Sequence, residues 1–166
     1  MSLNKRVILA AAIGMVSAPF AGVAIADVSW TFDSGNCVST VGPAGNCGGG
    51  NSNFSLGRTY QGVGPGAVDV TVTGWGNTTG GNTKLELGKI THYGGGLGVK
   101  NADAGNGDAN EGSSPEHAVD NNQRLDLVLF DFGAGNSVAL SDIQIGWSSG
   151  DADIDLLAFV GGGANT

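Results

Sequence analysis

Three apolar runs follow one another near the C-terminus: LDLVLFDF (125–132), VALSDIQIGW (138–147) and DADIDLLAF (151–159). Each has the length and composition of a β-strand, and short turns rich in Gly, Asn and Ser separate them. No segment beyond the first 26 residues combines helix caps with a helical period. The chain must therefore bury its apolar residues through sheets. The 31 glycines do not change this, because they follow no three-residue repeat and proline is scarce, which excludes a collagen helix. With 40% apolar and only 13% charged residues, the chain is too apolar to stay disordered.

Further strands precede these runs. VSWTFD (28–33) alternates and reads as the first strand of the domain. AVDVTVTGW (67–75) places Val68, Val70 and Val72 on one face and Asp69, Thr71 and Thr73 on the other. KLELGKITHY (84–93) alternates with a break in phase at Gly88, the signature of a bulge. Residues 54–60 suit a short edge strand, and Leu97-Gly98-Val99 one more. The segment 34–52 reads as a Gly/Asn loop, and 101–115 as an acidic, glycine-rich one. The expected fold is all-β: a single antiparallel β-sandwich, jelly-roll-like, with glycine-rich loops and with 125–132 and 138–147 paired or facing.

Lys5 and Arg6, the apolar run 7–16 and the small-x-small sequence Ala24-Ile25-Ala26 form an export leader. The apolar run is too short to span a bilayer, and Pro19 and Gly22 follow it. The expected organisation is a signal peptide over 1–26, a β-sandwich domain over 27–160, and a Gly-rich linker or truncation point over 161–166. The mature chain then begins at Asp27 and has no transmembrane segment. Without Lys5 and Arg6 it carries 5 basic against 15 acidic residues, a net charge of about −10. That excess excludes nucleic-acid binding by phosphate neutralisation and disfavours anionic lipid. It suits solubility or divalent cations. Export places Cys37 and Cys47 in an oxidising compartment, where a local disulfide is expected. No histidine or second Cys pair lies near them to complete a metal site.

VTVTGW (70–75), GGGLGVKN (94–101), EHAVDN (116–121), RLDLVLFDF (124–132), VALSDIQIGW (138–147) and DADIDLLAF (151–159) together resemble the exosortase-dependent surface proteins of Gram-negative bacteria, the PEP-CTERM class. The resemblance implies export, C-terminal sorting by a membrane protease, and association with the cell surface and with an exopolysaccharide or biofilm matrix. Proteins of that class end in a Pro-Glu-Pro motif, an apolar span and a basic tail. Here GGGANT (161–166) stands where a linker to such a sorting tail would begin.

Two chemistries compete for the polar residues. Calcium takes six to eight oxygens from carboxylates, Asn side chains and carbonyls. Glu116, Asp120, Asn121 and Asp126 surround one strand start, and Asp153 joins them if the last strand lies beside 125–132. Asx-turns and soluble sheet edges account for the same residues. A bound calcium would raise the melting temperature in millimolar calcium over chelator. Gly146-Trp147-Ser148-Ser149-Gly150 matches the hydrolase Gly-x-Ser-x-Gly elbow, but a strand follows it rather than a helix, and His92 and His117 both precede the serine. No P-loop sequence occurs. Trp30, Trp75 and Trp147, with Tyr60 and Tyr93, would stack on sugars if exposed together, whereas burial in the core is their ordinary use. The expected protein is secreted, non-enzymatic, and located at the cell surface or in the extracellular matrix. The alternative is a calcium-stabilised carbohydrate-binding module with exopolysaccharide as partner.

Overall fold

The computed structural model describes residues 6–12, 28–42, 46–50, 52–79, 84–101, 118–119, 124–146 and 153–159. These residues are all-β, with no helix among them.

The central strand is β6 (Val70–Thr79), whose alternation gives it two distinct faces. Val70 and Val72 are fully buried, while Thr71, Thr73 and Trp75 point to the other side and are half-buried. One edge of β6 pairs with β10 (Asp126–Asp131), antiparallel, from Asp126↔Gly76 to Asp131↔Thr71. The opposite edge is shared by β4 (Gly57–Tyr60) and β7 (Lys84–Leu87). Strand β3 (Cys37–Val41) adds outside β4. On the far side, β1 (Arg6–Ala12) runs parallel to β10 and to β11 (Asp153–Phe159), completing the order β11-β1-β10-β6-β4-β3 with β7 on β6. The sheet is thus mixed: every ladder is antiparallel except the two that β1 makes.

Two short ladders complete the described fold. β2 (Ser29–Trp30) pairs with β5 (Gly62–Val63), and β8 (Lys89–Tyr93) pairs with β9 (Gly96–Lys100). The β8–β9 ladder lies across the inner face of the sheet. There Ile90 and Val99 close on Tyr60, Val70, Val72, Val128 and Phe132, the buried apolar core. Each such side chain contributes roughly 1.5–3 kcal/mol on burial. The layers approach closely because Gly74 has no side chain; a Cβ there would stand 3.1 Å from the Lys89 carbonyl oxygen and from Val99. Phe32 packs edge-on against Tyr60 at 5.1 Å between ring centres, and Trp30 lies 5.0 Å from Phe132. Trp30 also donates from Nε1 to the Val68 carbonyl at 2.8 Å. The 28–33 segment therefore plugs the core with its aromatics more than it forms a ladder.

Several expectations are corrected here. VALSDIQIG over 138–146 is not a strand and does not pair with β10; Val138 packs against the core, while Leu140, Ile143 and Ile145 are exposed. Its alternation is strand-like, but it joins none of the described ladders. Instead Gly146 packs directly on the Gly95 backbone at the β8–β9 turn, a contact that leaves no room for a Cβ. KLELGKITHY does not bulge at Gly88. It divides there, β7 joining β6 and β8 crossing to the other layer. β4 is an interior strand, not an edge, and the supposed 34–52 loop contains β3. The N-terminal apolar run contributes β1 over Arg6–Ala12, and no described helix is long and apolar enough to cross a membrane. A second full sheet and a jelly-roll order are not present among the described residues.

Candidate functional site

The most organised polar cluster lies where β4 passes under β8. Alternation along β4 turns Arg58 and Tyr60 to the same, inner face, and both are fully buried. On β8, Thr91 and His92 are buried beside them. The bridge between Ser55 and Ile90 fixes the two segments: the Ile90 N–H donates to Ser55 O at 2.7 Å, and the Ser55 N–H donates to Ile90 O at 3.0 Å.

Arg58 is the hub of this cluster. Its Nε donates to Ser55 Oγ at 3.2 Å, its Nη1 to His92 Nδ1 at 3.0 Å, and its Nη2 to Thr91 Oγ1 at 3.3 Å and to the Asn53 carbonyl. All four partners are neutral. A guanidinium has no acceptor, so the Arg58 contact requires an unprotonated Nδ1 on His92. The imidazole is therefore neutral, with its hydrogen on Nε2. Tyr60 Oη, 3.3 Å from the same Nδ1, donates to it as well. Burial depresses the His92 pKa below its usual value, and the Arg58 charge adds to this, while Asp33 acts the other way. Burial also raises Tyr60 to about 12.

A glycine loop roofs His92. Cys47 bonds to Cys37 with 5.5 Å between the Cα atoms, as the sequence led us to expect, and Gly48–Gly50 follow directly. The Gly50 N–H donates to His92 O at 2.9 Å. Gly49 lies against the imidazole so closely that a Cβ would meet His92 O at 2.6 Å and Nε2 at 2.8 Å. The disulfide thus anchors the loop that covers the histidine. Beside it opens a pocket of about 390 Å³ lined by Asp33, Ser34, Gly49, Gly50, His92, Tyr93 and Gly94. Asp33 accepts from the Asn36 backbone N–H at 2.9 Å and from Asn36 Nδ2 at 2.8 Å, and these donors hold its carboxyl below the usual range. Burial pushes Tyr93 to about 12.

Asp33, Ser34 and His92 are the residue types of a hydrolase triad. However, a ring whose Nδ1 accepts from a guanidinium and whose Nε2 carries its only hydrogen cannot take a proton from a serine at Nε2. It can donate one hydrogen bond. Ser148, the serine of the Gly-x-Ser-x-Gly match, lies outside the described residues.

Of the calcium candidates, Glu116, Asp120 and Asn121 also lie outside the described residues. Asp126 is buried at the start of β10. Asp153 begins β11, but the last strand does not lie beside β10 as the calcium grouping required. β1 stands between them, so the two strands are two spacings, about 10 Å, apart. Among the described residues, no three His, Cys, Asp or Glu are grouped to hold a metal. Among the described residues, Trp30 and Trp75 do not form a shared platform. Trp30 packs into the core and Trp147 is outside the described residues. Trp75 lies half-buried on the outer sheet face, in register with Leu127 and Leu87, and donates from Nε1 to Thr73 Oγ1 at 2.9 Å.

No local motif announces the Arg58–His92 pair, because 34 positions separate its members. The one sequence signal was an arginine in phase with Tyr60 in a short strand. No family model, curated protein or solved structure matches this chain.

Proposed function

We propose that this protein is an exported, non-enzymatic component of the cell surface or extracellular matrix, of the kind its PEP-CTERM resemblance implies. The observation that carries export is the Cys37–Cys47 bridge, because such bonds persist in oxidising compartments. It agrees with the basic and apolar leader and its Ala24-Ile25-Ala26 sequence. The non-enzymatic reading is supported by the His92 tautomer, in which the imidazole cannot serve as the base of a Ser-His-Asp triad. An assembling role is supported by the exposed apolar side chains Leu140, Ile143, Ile145, Leu156 and Leu157.

The test is cell fractionation followed by intact-mass measurement of the native protein. A chain beginning at Asp27, with its thiols oxidised, in the medium, on the cell surface or in the matrix is the expected result. A reduced, leader-bearing chain in the cytosol would refute the reading. A second reading, a carbohydrate-binding module, is favoured by one observation: the pocket beside His92 combines a carboxylate, an imidazole and a tyrosine around a glycine loop.

A further inference from the structure

We propose that the pocket formed by Asp33, Ser34, Gly49, Gly50, His92 and Tyr93 is a subsite for one unit of a neutral saccharide. The proposal rests on the carbohydrate-binding reading and names its ligand class. A sugar ring presents adjacent hydroxyls, each both donor and acceptor, and an apolar C–H face. The pocket offers complements to both. The Asp33 carboxylate accepts, and the Ser34 hydroxyl donates or accepts. Tyr93 supplies an aromatic ring against which an amphipathic ligand packs. The volume of about 390 Å³ lies within the usual range of small-ligand pockets.

Charge selects against anions. An anionic unit, such as a uronic acid, would meet the Asp33 carboxylate in a protein of net charge −8. A metal ion would need a free ring nitrogen, and His92 has Nδ1 committed to Arg58 and Nε2 protonated. The same Arg58 contact fixes the ring, so that this wall of the pocket is in place before any ligand arrives.

Two features show how the chain holds the pocket in shape. Gly49 must lack a side chain for the loop to lie on His92, and the Cys37–Cys47 bond keeps that loop in place. Asn36 holds the Asp33 carboxylate from the rim with two donors to the same oxygen, Oδ1.

The experiment is an NMR titration of the purified protein with cellobiose, maltose, lactose and a mannobiose, and in parallel with digalacturonate. The expected result is that at least one neutral disaccharide shifts the His92 and Tyr93 ring signals and the Gly49 and Gly50 amides. Asp33→Asn, which keeps an acceptor for Asn36, should weaken that binding about tenfold, as for a lost charged hydrogen bond. Its melting temperature should fall only slightly, because the amide oxygen still accepts from Asn36 but without the charge. Tyr93→Ala provides an independent check and should weaken binding without altering the His92 tautomer. No shift up to tens of millimolar sugar would overturn the proposal. So would shifts centred on Trp75, or digalacturonate binding as tightly as the neutral sugars. Because the titration reads the purified protein, its failure is distinct from a fractionation result that places the protein in another compartment.

Discussion

Replacing Arg58 with alanine is the most informative perturbation of this fold. The wild-type guanidinium is fully buried and makes four contacts, to Ser55, His92, Thr91 and the Asn53 carbonyl. Hydrogen bonds from a charged group are worth roughly 1.5–3 kcal/mol each, so four amount to about 6–12 kcal/mol. Against this stands the cost of burying a cation with no carboxylate in contact, several kcal/mol. The stranded partners soften the loss, because each keeps another bond. Ser55 Oγ donates to Gly57 O at 3.0 Å, Thr91 Oγ1 to Asn53 O at 3.0 Å, and Tyr60 still reaches His92. The net expectation for Arg58→Ala is a loss of about 3 kcal/mol. Urea unfolding with the disulfide intact should show this as a midpoint lower by roughly 1–3 M, given the usual slopes for small proteins. Arg58→Met keeps the apolar stem and should lose about 1 kcal/mol less. His92 gives a second readout. With the cation gone, its pKa should move up towards the ordinary value while burial still holds it below. An Arg58→Ala midpoint equal to wild type, with an unmoved His92 titration, would refute the view that Arg58 organises the cluster.

Other outcomes follow from the same geometry. His92 is neutral in the fold with a depressed pKa, so its contribution is complete above the ordinary value of about 6.5. Stability should fall as pH drops from there through the lowered folded value, because the unfolded ring takes up a proton that the folded ring refuses; melting curves between pH 8 and 5 check this, and His92→Gln should flatten them. Replacing Cys37 and Cys47 with serine should cost roughly 2–3 kcal/mol by loop entropy, measured by urea unfolding, and should speed hydrogen exchange at the Gly50 amide. Gly49→Ala should cost roughly 1–3 kcal/mol, because its Cβ would meet the rigid His92 backbone; a neutral result would show that the loop does not rest on the imidazole.

The all-β class was legible because strand-length apolar runs and glycine turns leave no room for helices. β6 was readable residue by residue: its alternation predicts the burial of Val70 and Val72 and the half-exposure of Thr71 and Thr73. β10 was legible as a continuous apolar run. The same logic failed at 138–146, where a strand-like pattern joins none of the described ladders, since pattern reports a face and not a partner. It failed oppositely at β3, where Val38, Thr40 and Val41 are good strand formers hidden among Gly, Asn and Ser. At Gly88 the break in phase was seen, but a break does not say whether the strand kinks or changes layer. The Cys37–Cys47 bond followed from compartment and spacing. The Arg58–His92–Asp33 arrangement did not, because it exists only once β8 is laid over β4, and residues brought together by layer packing carry no mark along the chain.

The place of β1 affects the timing of assembly. Among the described residues, β11 takes its one ladder from Arg6–Ala12, and the same stretch separates it from β10. If the leader is cut away on export, the final strand loses its template at the moment the protein is delivered. Ile8 stands opposite both Leu127 and Asp155, so the shortest repair slides β11 sideways by one strand, bringing Asp155 to Leu127 and Ile154 to Asp126. Maturation would then be a change of sheet order as well as a proteolytic event.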